Sequence, residues 1–228
     1  MGLSTTTASQ TSNGQNATGR TSTAPRRDPV QERSQETVGR IQAAAARLLA
    51  RGTAAHSLTT AQIATEAALS VGALYRFFPD KQAIIDAIAL AHLEAFQDEL
   101  AGLLLADMPD TPTGFLAAII DAFAAYLGAH PDFRTLAYGT PAQPARAISP
   151  ALFEREAGEG ALAELLRESL ATLFGLEPDA DFPFRLRIAA ELGDRLIAHA
   201  FAQPDPALRQ RILDEAKSIL APYLFPAG

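Results

Sequence analysis

An all-α fold is predicted by three features of the chain. Alanine and leucine dominate a composition that is 48% apolar over 228 residues, and both are strong helix formers, whereas β-branched runs are scarce. Apolar side chains recur at i, i+3 and i+4 rather than in strict alternation. The interruptions between these stripes fall at proline, glycine or capping residues, which end helices. The expected architecture is a three-helix N-terminal domain holding a helix-turn-helix, then roughly six helices that form a second domain. Boundaries are expected at 1–33 for a tail, 34–80 for the first domain and 81–228 for the second.

The tail, residues 1–33, is rich in Ser, Thr, Gln, Asn and Gly and nearly free of large apolar side chains. Such a segment cannot bury enough surface to offset its ordering entropy, so disorder is expected. Arg20, Arg26, Arg27 and Arg33 give it the character of a basic arm of the kind that enters minor grooves.

Residues 58–81, LTTAQIATEAALSVGALYRFFPDK, carry the densest set of signals. Thr59 followed by Gln62 is a capping box that starts a helix at Thr60. Ile63, Ala64 and Ala67 supply its packing face. Ala68-Leu69 makes the turn, and Ser70 caps a second helix expected from Val71 to about Phe78. Leu69, Leu74 and Phe78 are expected inside, leaving Val71, Gly72, Ala73, Tyr75 and Arg76 outward. Gly72 weakens a helix by about 1 kcal/mol relative to alanine, which suggests close approach to something bulky. Pro79-Asp80 stops the helix, and Asp80 caps the next with Lys81 in its first turn. A lysine there opposes the helix dipole but suits a bound phosphate. A helix with a small-residue outer face of this kind can enter a DNA major groove.

Together with the helix before it, this segment resembles the DNA-binding domain of the TetR (tetracycline-repressor-like) family of regulators. The resemblance rests on Arg40-Ile41, Ala44-Ala45, Leu48-Leu49, Gly52, Thr59, Ile63-Ala64, Ala67, Ser70, Leu74-Tyr75, Phe78 and Lys81, within residues 34–90. It implies that Val71, Gly72, Ala73, Tyr75 and Phe77 face DNA, and that Thr59, Tyr75 and Lys81 meet phosphates. Two positions depart from the pattern. Glycine is usual where Ala68 stands, so a left-handed backbone there would cost about 1 kcal/mol. Histidine is frequent where Phe77 stands, so one polar contact to DNA is expected to be missing.

Charge divides the chain in the same place. The formal net charge is −7, but residues 1–33 carry +2, residues 34–90 carry +1 and the remainder carries −10. The acidic balance therefore belongs to the second domain and does not argue against nucleic-acid binding by the first.

Beyond Lys81, helices are expected over about residues 80–105, 113–129, 131–138, an uncertain start to 174, 183–201 and 205–224. Pro141, Pro144 and Pro150 define an irregular connection. The last helix shows a stripe of Leu208, Ile212, Ala216, Ile219 and Tyr223, and the one before it presents small residues including Ala189, Ala190 and Gly193. The family resemblance implies that these last two helices, about residues 183–224, pair with those of a second copy. A two-fold dimer suits a palindromic double-stranded DNA operator.

Catalysis finds no motif. His56, His92, His130 and His199 form no His-Glu-x-x-His or Glu-x-x-His pair, and there is no nucleophile elbow, phosphate loop or dinucleotide fingerprint. No cofactor or metal is implied. Absence of cysteine excludes disulfides and fits a cytoplasmic setting. No apolar run is expected to reach the ~18 residues of a membrane span, and the N-terminus shows no signal core.

A small-molecule effector site has more support. Ten of twelve phenylalanines follow residue 90, and Phe96, Phe115, Phe123, Phe133, Tyr126 and Tyr138 fall on helices able to surround one largely apolar cavity. His92, Gln97, His130 and Arg134 are candidate orienting groups; the expected ligand set is His92, Phe96, Phe115, Phe123, Tyr126, Phe133 and Tyr138. The expected function is a ligand-responsive DNA-binding regulator, a homodimeric repressor released from its operator by a small apolar molecule. The alternative is an all-α small-molecule-binding or scaffold protein whose helix-turn-helix no longer binds DNA.

Overall fold

The structure is a computed structural model that describes residues 29–140, 146–149, 161–176 and 179–226. Nine helices form among them. They are α1 (Pro29–Ala50), α2 (Thr60–Glu66), α3 (Val71–Leu74), α4 (Lys81–Ala106) and α5 (Pro112–Ala129). Then come α6 (Pro131–Tyr138), α7 (Ala161–Phe174), α8 (Phe182–Phe201) and α9 (Pro206–Leu224). The all-α expectation holds, and most ends fall where capping residues put them.

Those ends show how sequence becomes boundary. Thr111 caps α5, with Pro112 in its first turn where no N–H is needed. Asp80 caps α4 by accepting from the N–H of Ala83. At the C-terminus of α1, Thr53 N–H donates to Leu48 O (3.1 Å) and Gly52 N–H to Leu49 O (2.9 Å). That double closure needs a left-handed residue at its centre, and Gly52 supplies it at φ +91°.

The end of α2 uses the same device without the glycine. Leu69 N–H donates to Ala64 O (2.8 Å) and Ala68 N–H to Thr65 O (3.1 Å), which puts Ala68 at φ +54°. The left-handed backbone expected at Ala68 is therefore present. We predict that Ala68→Gly relieves it, raising stability by up to about 1 kcal/mol, or roughly 2–4 °C in Tm. An unchanged or lowered midpoint in a thermal melt would show that the turn stores no such strain.

Four expectations are corrected. The tail boundary at residue 33 is too late, because α1 already begins at Pro29; the rest of the tail lies outside the described residues, as do Pro141, Pro144 and Pro150. The second helix of the helix-turn-helix is shorter than expected. It is α-helical only over Val71–Leu74 and closes with tighter turns, Arg76 N–H to Ala73 O and Phe77 N–H to Leu74 O. The stripe expected on α9 is only partly its buried face: Ala216 is buried and Ile212 and Tyr223 are half-buried. Leu213, Ala216, Leu220 and Leu224 are buried, whereas Leu208 and Ile219 are exposed. Finally, α5 reaches 18 residues with a mean hydropathy of 1.4, long and apolar enough by those measures to cross a bilayer. Here it is a packing helix instead. It lies against α4, α6 and α9, and its Asp121 pairs with Lys217 of α9.

The core runs continuously through the described residues. In the N-terminal part α1 packs on α2 and α4, burying Ile41, Ala44, Ala45, Leu49, Leu58, Ile63, Leu74 and Ile84. Further along, α8 and α9 form the most closely packed pair; a Cβ on Gly193 would sit 3.3 Å from Leu220 Cδ1. Two links join the halves: the continuous α4, and α6, which packs against α1.

Candidate nucleic-acid interface

The helix-turn-helix is held rigidly from behind. Arg40 of α1 donates to Ala67 O (2.8 Å) at the end of α2, where the helix dipole is negative. Arg47 and Arg51 both reach the Glu66 carboxylate, at 2.8 and 3.3 Å. The hydrogen bond from Arg47 is the main reason that carboxyl sits below its ordinary value. From the sequence only Arg40 stands out, as part of the family resemblance; its partner, 27 residues away, has no local signature.

In front, the expected split of α3 is reproduced. Leu74 and Phe78 are buried and Leu69 is partly so. Val71, Gly72, Tyr75 and Arg76 are exposed and Ala73 is half-buried. Ser70 caps the helix by accepting from the N–H of Ala73 (3.1 Å). Tyr75 is 50% exposed, and its hydroxyl lies 3.2 Å from Thr60 Oγ1, which ties α3 to the start of α2. Thr60 was read from the sequence only as the first residue of the helix.

Three of the expected contact residues are partly committed elsewhere. Thr59 accepts from Gln62 N–H (3.2 Å) and its hydroxyl donates to Gln62 Oε1 (3.0 Å), so that group is engaged in the capping box. Phe77 is turned halfway into the core, with the Arg76 guanidinium 6.0 Å above its ring. Lys81 Nζ donates to the carbonyls of Ala55 (3.2 Å) and His56 (3.0 Å). Those bonds offset the dipole penalty of a lysine in a first turn and pin the α1–α2 loop to α4. An ammonium has three N–H donors, so one remains for a phosphate.

Gly72 supplies an independent test. A Cβ built there meets nothing within 4 Å, so the protein itself does not require glycine. We predict that Gly72→Ala stabilises the free protein by about 0.4–1 kcal/mol while weakening DNA binding, because the added methyl meets DNA instead. Equal DNA affinity for the two proteins would remove Gly72 from the interface.

The expected ligand residues divide into three groups. His92, Phe96, Phe123, Tyr126 and Phe133 come together, with ring centroids 5.0 Å apart for His92–Phe133 and for Phe96–Phe123. Within that cluster His92 bridges α4, α5 and α6. Its Nδ1 is 2.9 Å from the Tyr126 hydroxyl and its Nε2 is 3.0 Å from Asp132 Oδ2. Burial pushes the Asp132 carboxyl up, but the His92 hydrogen bond and charge, with backbone N–H groups, outweigh it and leave the group below its ordinary value. Phe115 lies apart, edge-on to Phe174 at 5.9 Å. Tyr138 also lies apart, under the Arg146 guanidinium at 6.0 Å. Burial drives its phenol well above the ordinary value, and the Asp194 carboxylate raises it further. Of the other candidates, His130 joins the cluster, 4.1 Å from the Tyr126 ring, while Arg134 turns away to Leu127 O and Phe201.

A capped helix pair with an exposed aromatic and small-residue face, braced by arginines and mounted on an all-helical body, defines a helix-turn-helix DNA-binding regulator. Comparison with known proteins gives the family. Residues 41–88 match the group described as bacterial regulatory proteins, tetR family. Residues 110–227 match the tetracyclin repressor-like C-terminal domain. The chain belongs to the TetR family of transcriptional regulators.

Among solved structures, a TetR-family regulator from Streptomyces coelicolor is similar at 27% identity and TM-score 0.64, covering 83% of this chain and 98% of that one. A tetR-family protein from Shewanella sp. PV-4 shares the fold at 16% identity and TM-score 0.59, covering 81% and 95%. So does Thermus thermophilus FadR, a TetR-family repressor solved with lauroyl-CoA, at 22% identity and TM-score 0.57, covering 84% and 98%. No curated protein matches the chain.

Proposed function

We propose that this regulator is a homodimeric repressor that reads a palindromic operator through α3 and is released by a small, largely apolar molecule. The observation carrying the DNA half of this reading is the outward face of α3, where Val71, Gly72 and Tyr75 stand exposed on a buried Leu74–Phe78 footing. The proposed division is a DNA-binding head over residues 29–80 and a body over 81–228 that carries effector binding and dimerisation.

Dimerisation is supported by apolar side chains left outside the α8–α9 pair: Phe184 (57% exposed) and Leu192 on α8, Leu208 and Ile219 (51%) on α9. Exposed apolar groups on both helices of one pair suit a second copy, and a two-fold axis would present two α3 helices to a palindrome. The effector is proposed to enter the His92–Phe96–Phe123–Tyr126–Phe133 cluster. Its apolar body would part the rings and a polar group would replace one partner of His92, shifting α6 against α1. The FadR structure with lauroyl-CoA gives a family precedent for an acyl ligand.

Lys81 supplies a quantitative check. Lys81→Ala is expected to weaken binding to every DNA sequence alike and to lower the salt slope by about 1, since a phosphate contact carries no base information. Equal affinity and slope in a fluorescence titration would remove Lys81 from the phosphate contacts. A mobility shift with DNA from upstream of the protein's own gene tests the reading as a whole. A salt-sensitive complex displaced only by the same sequence supports it; failure to bind any duplex would favour the scaffold alternative.

A further inference from the structure

A cleft of about 260 Å³ opens between the head and the body. Its walls come from the α1–α2 loop (Ala54, Ala55, His56), the first turns of α4 (Lys81, Gln82, Ile85), the end of α6 (Gly139) and the segment carrying Arg146 and Ala147. Among the described residues its lining includes two permanent cations and a histidine, while the nearest carboxylates stand behind it, Asp194 paired with Arg146 and Asp86 accepting from Gln82 (2.9 Å).

The cleft sits over the joint itself. Gln82 Nε2 donates to Ala147 O (2.8 Å), and Ser149 N–H donates to Asp86 Oδ1 (3.0 Å), so the first turns of α4 are stitched to the 146–149 segment. Ala147 N–H in turn donates to Leu136 O of α6 (2.8 Å). Arg146 is held by Asp194 of α8 and stacked over Tyr138. Lys81 is held by two loop carbonyls with one N–H to spare. Both cations are thus fixed in place by their own partners before any ligand arrives, which lowers the ordering cost of binding.

We propose that this cleft is a second effector site, distinct from the aromatic cluster, and that it takes a small oxyanion-bearing molecule, a phosphate or a carboxylate. The volume suits a compact ligand. Bound there, the anion takes the remaining Lys81 donor and bridges α4 to Arg146. The consequence for DNA rests on the reading of Lys81 as a phosphate contact: the ligand competes with the DNA backbone for one ammonium and fixes the head relative to the body. Anion binding itself does not depend on that reading.

Pyrophosphate is the probe, titrated into the full chain by calorimetry at constant ionic strength. Two variants leave the DNA-contact residues untouched: Ala54→Leu fills the cleft without changing charge, and Arg146→Gln removes one cation. The expected result is saturable binding by the native protein, weakened at least about tenfold in each variant, with both variants retaining native affinity for operator DNA when pyrophosphate is absent. No saturable heat with the native protein would overturn the proposal. So would undiminished binding in Ala54→Leu, because the anion would then sit elsewhere, on the DNA-facing surface included. Should Arg146→Gln fail to fold, Ala54→Leu alone decides. Saturable binding that leaves operator affinity unchanged would keep the site and overturn its regulatory role. Failure to bind operator without any pyrophosphate would count against the DNA-binding reading and not against the cleft.

Discussion

Replacing Tyr75 by alanine is expected to reduce operator affinity at least about 30-fold, near 2 kcal/mol, the scale of removing a central aromatic from an interface. Fold and dimer should survive. The ring is half exposed and its hydroxyl meets only Thr60, itself at the surface, so the stability lost should stay below about 1 kcal/mol. Leu74→Ala, one residue earlier, should behave in the opposite way. Leu74 is fully buried, and truncating such a leucine costs about 2–5 kcal/mol in folding. Adjacent substitutions, one costing recognition and the other stability, would be measured by DNA titration and chemical denaturation. Loss of folding in Tyr75→Ala would make that tyrosine a core residue and remove the main support for α3 as the reading helix.

The second large effect is expected at α8 and α9. Phe184→Glu combined with Ile219→Glu puts two charges on the apolar side chains that the α8–α9 pair leaves outside. Sedimentation should show monomers. Operator affinity should then fall by about 10²–10⁴, because the second half-site is no longer engaged within one molecule. The helical content should not change, since neither side chain contributes to the core. A double variant that remains dimeric would move the interface to another surface.

The head was largely legible in the sequence because its signals are local. The Thr59–Gln62 box, Ser70 as a cap and the Leu74–Phe78 spacing each depend on neighbours within a turn or two, and each is present in the structure; the left-handed backbone at Ala68 was legible from the family pattern. Lys81 was legible as a first-turn lysine but not as the anchor of the preceding loop. Its partners lie 25 and 26 residues back, and no local pattern reports them.

The body was legible in helix positions and much less so in faces. The α9 stripe was Leu208, Ile212, Ala216, Ile219 and Tyr223, whereas burial centres on Leu213, Ala216, Leu220 and Leu224, because contact with α8 and α5 decides which side turns inward. Phe115 and Tyr138 share helices with the aromatic cluster but not its location. The charged partners that settle Tyr138, Arg146 and Asp194, come from distant elements. The cleft at Lys81 had no sequence signature, since its walls come from four separate segments.

The central claim is that the chain reads a two-fold DNA sequence through paired α3 helices. Its most direct test is selection of duplexes from a random library by the purified protein, followed by sequencing of the bound fraction. The expected result is one enriched inverted repeat, its half-sites separated by about one helical turn or a multiple of it, and its enrichment lost in Tyr75→Ala. A bound fraction indistinguishable from the starting library, or an enriched site without two-fold symmetry, would contradict the claim.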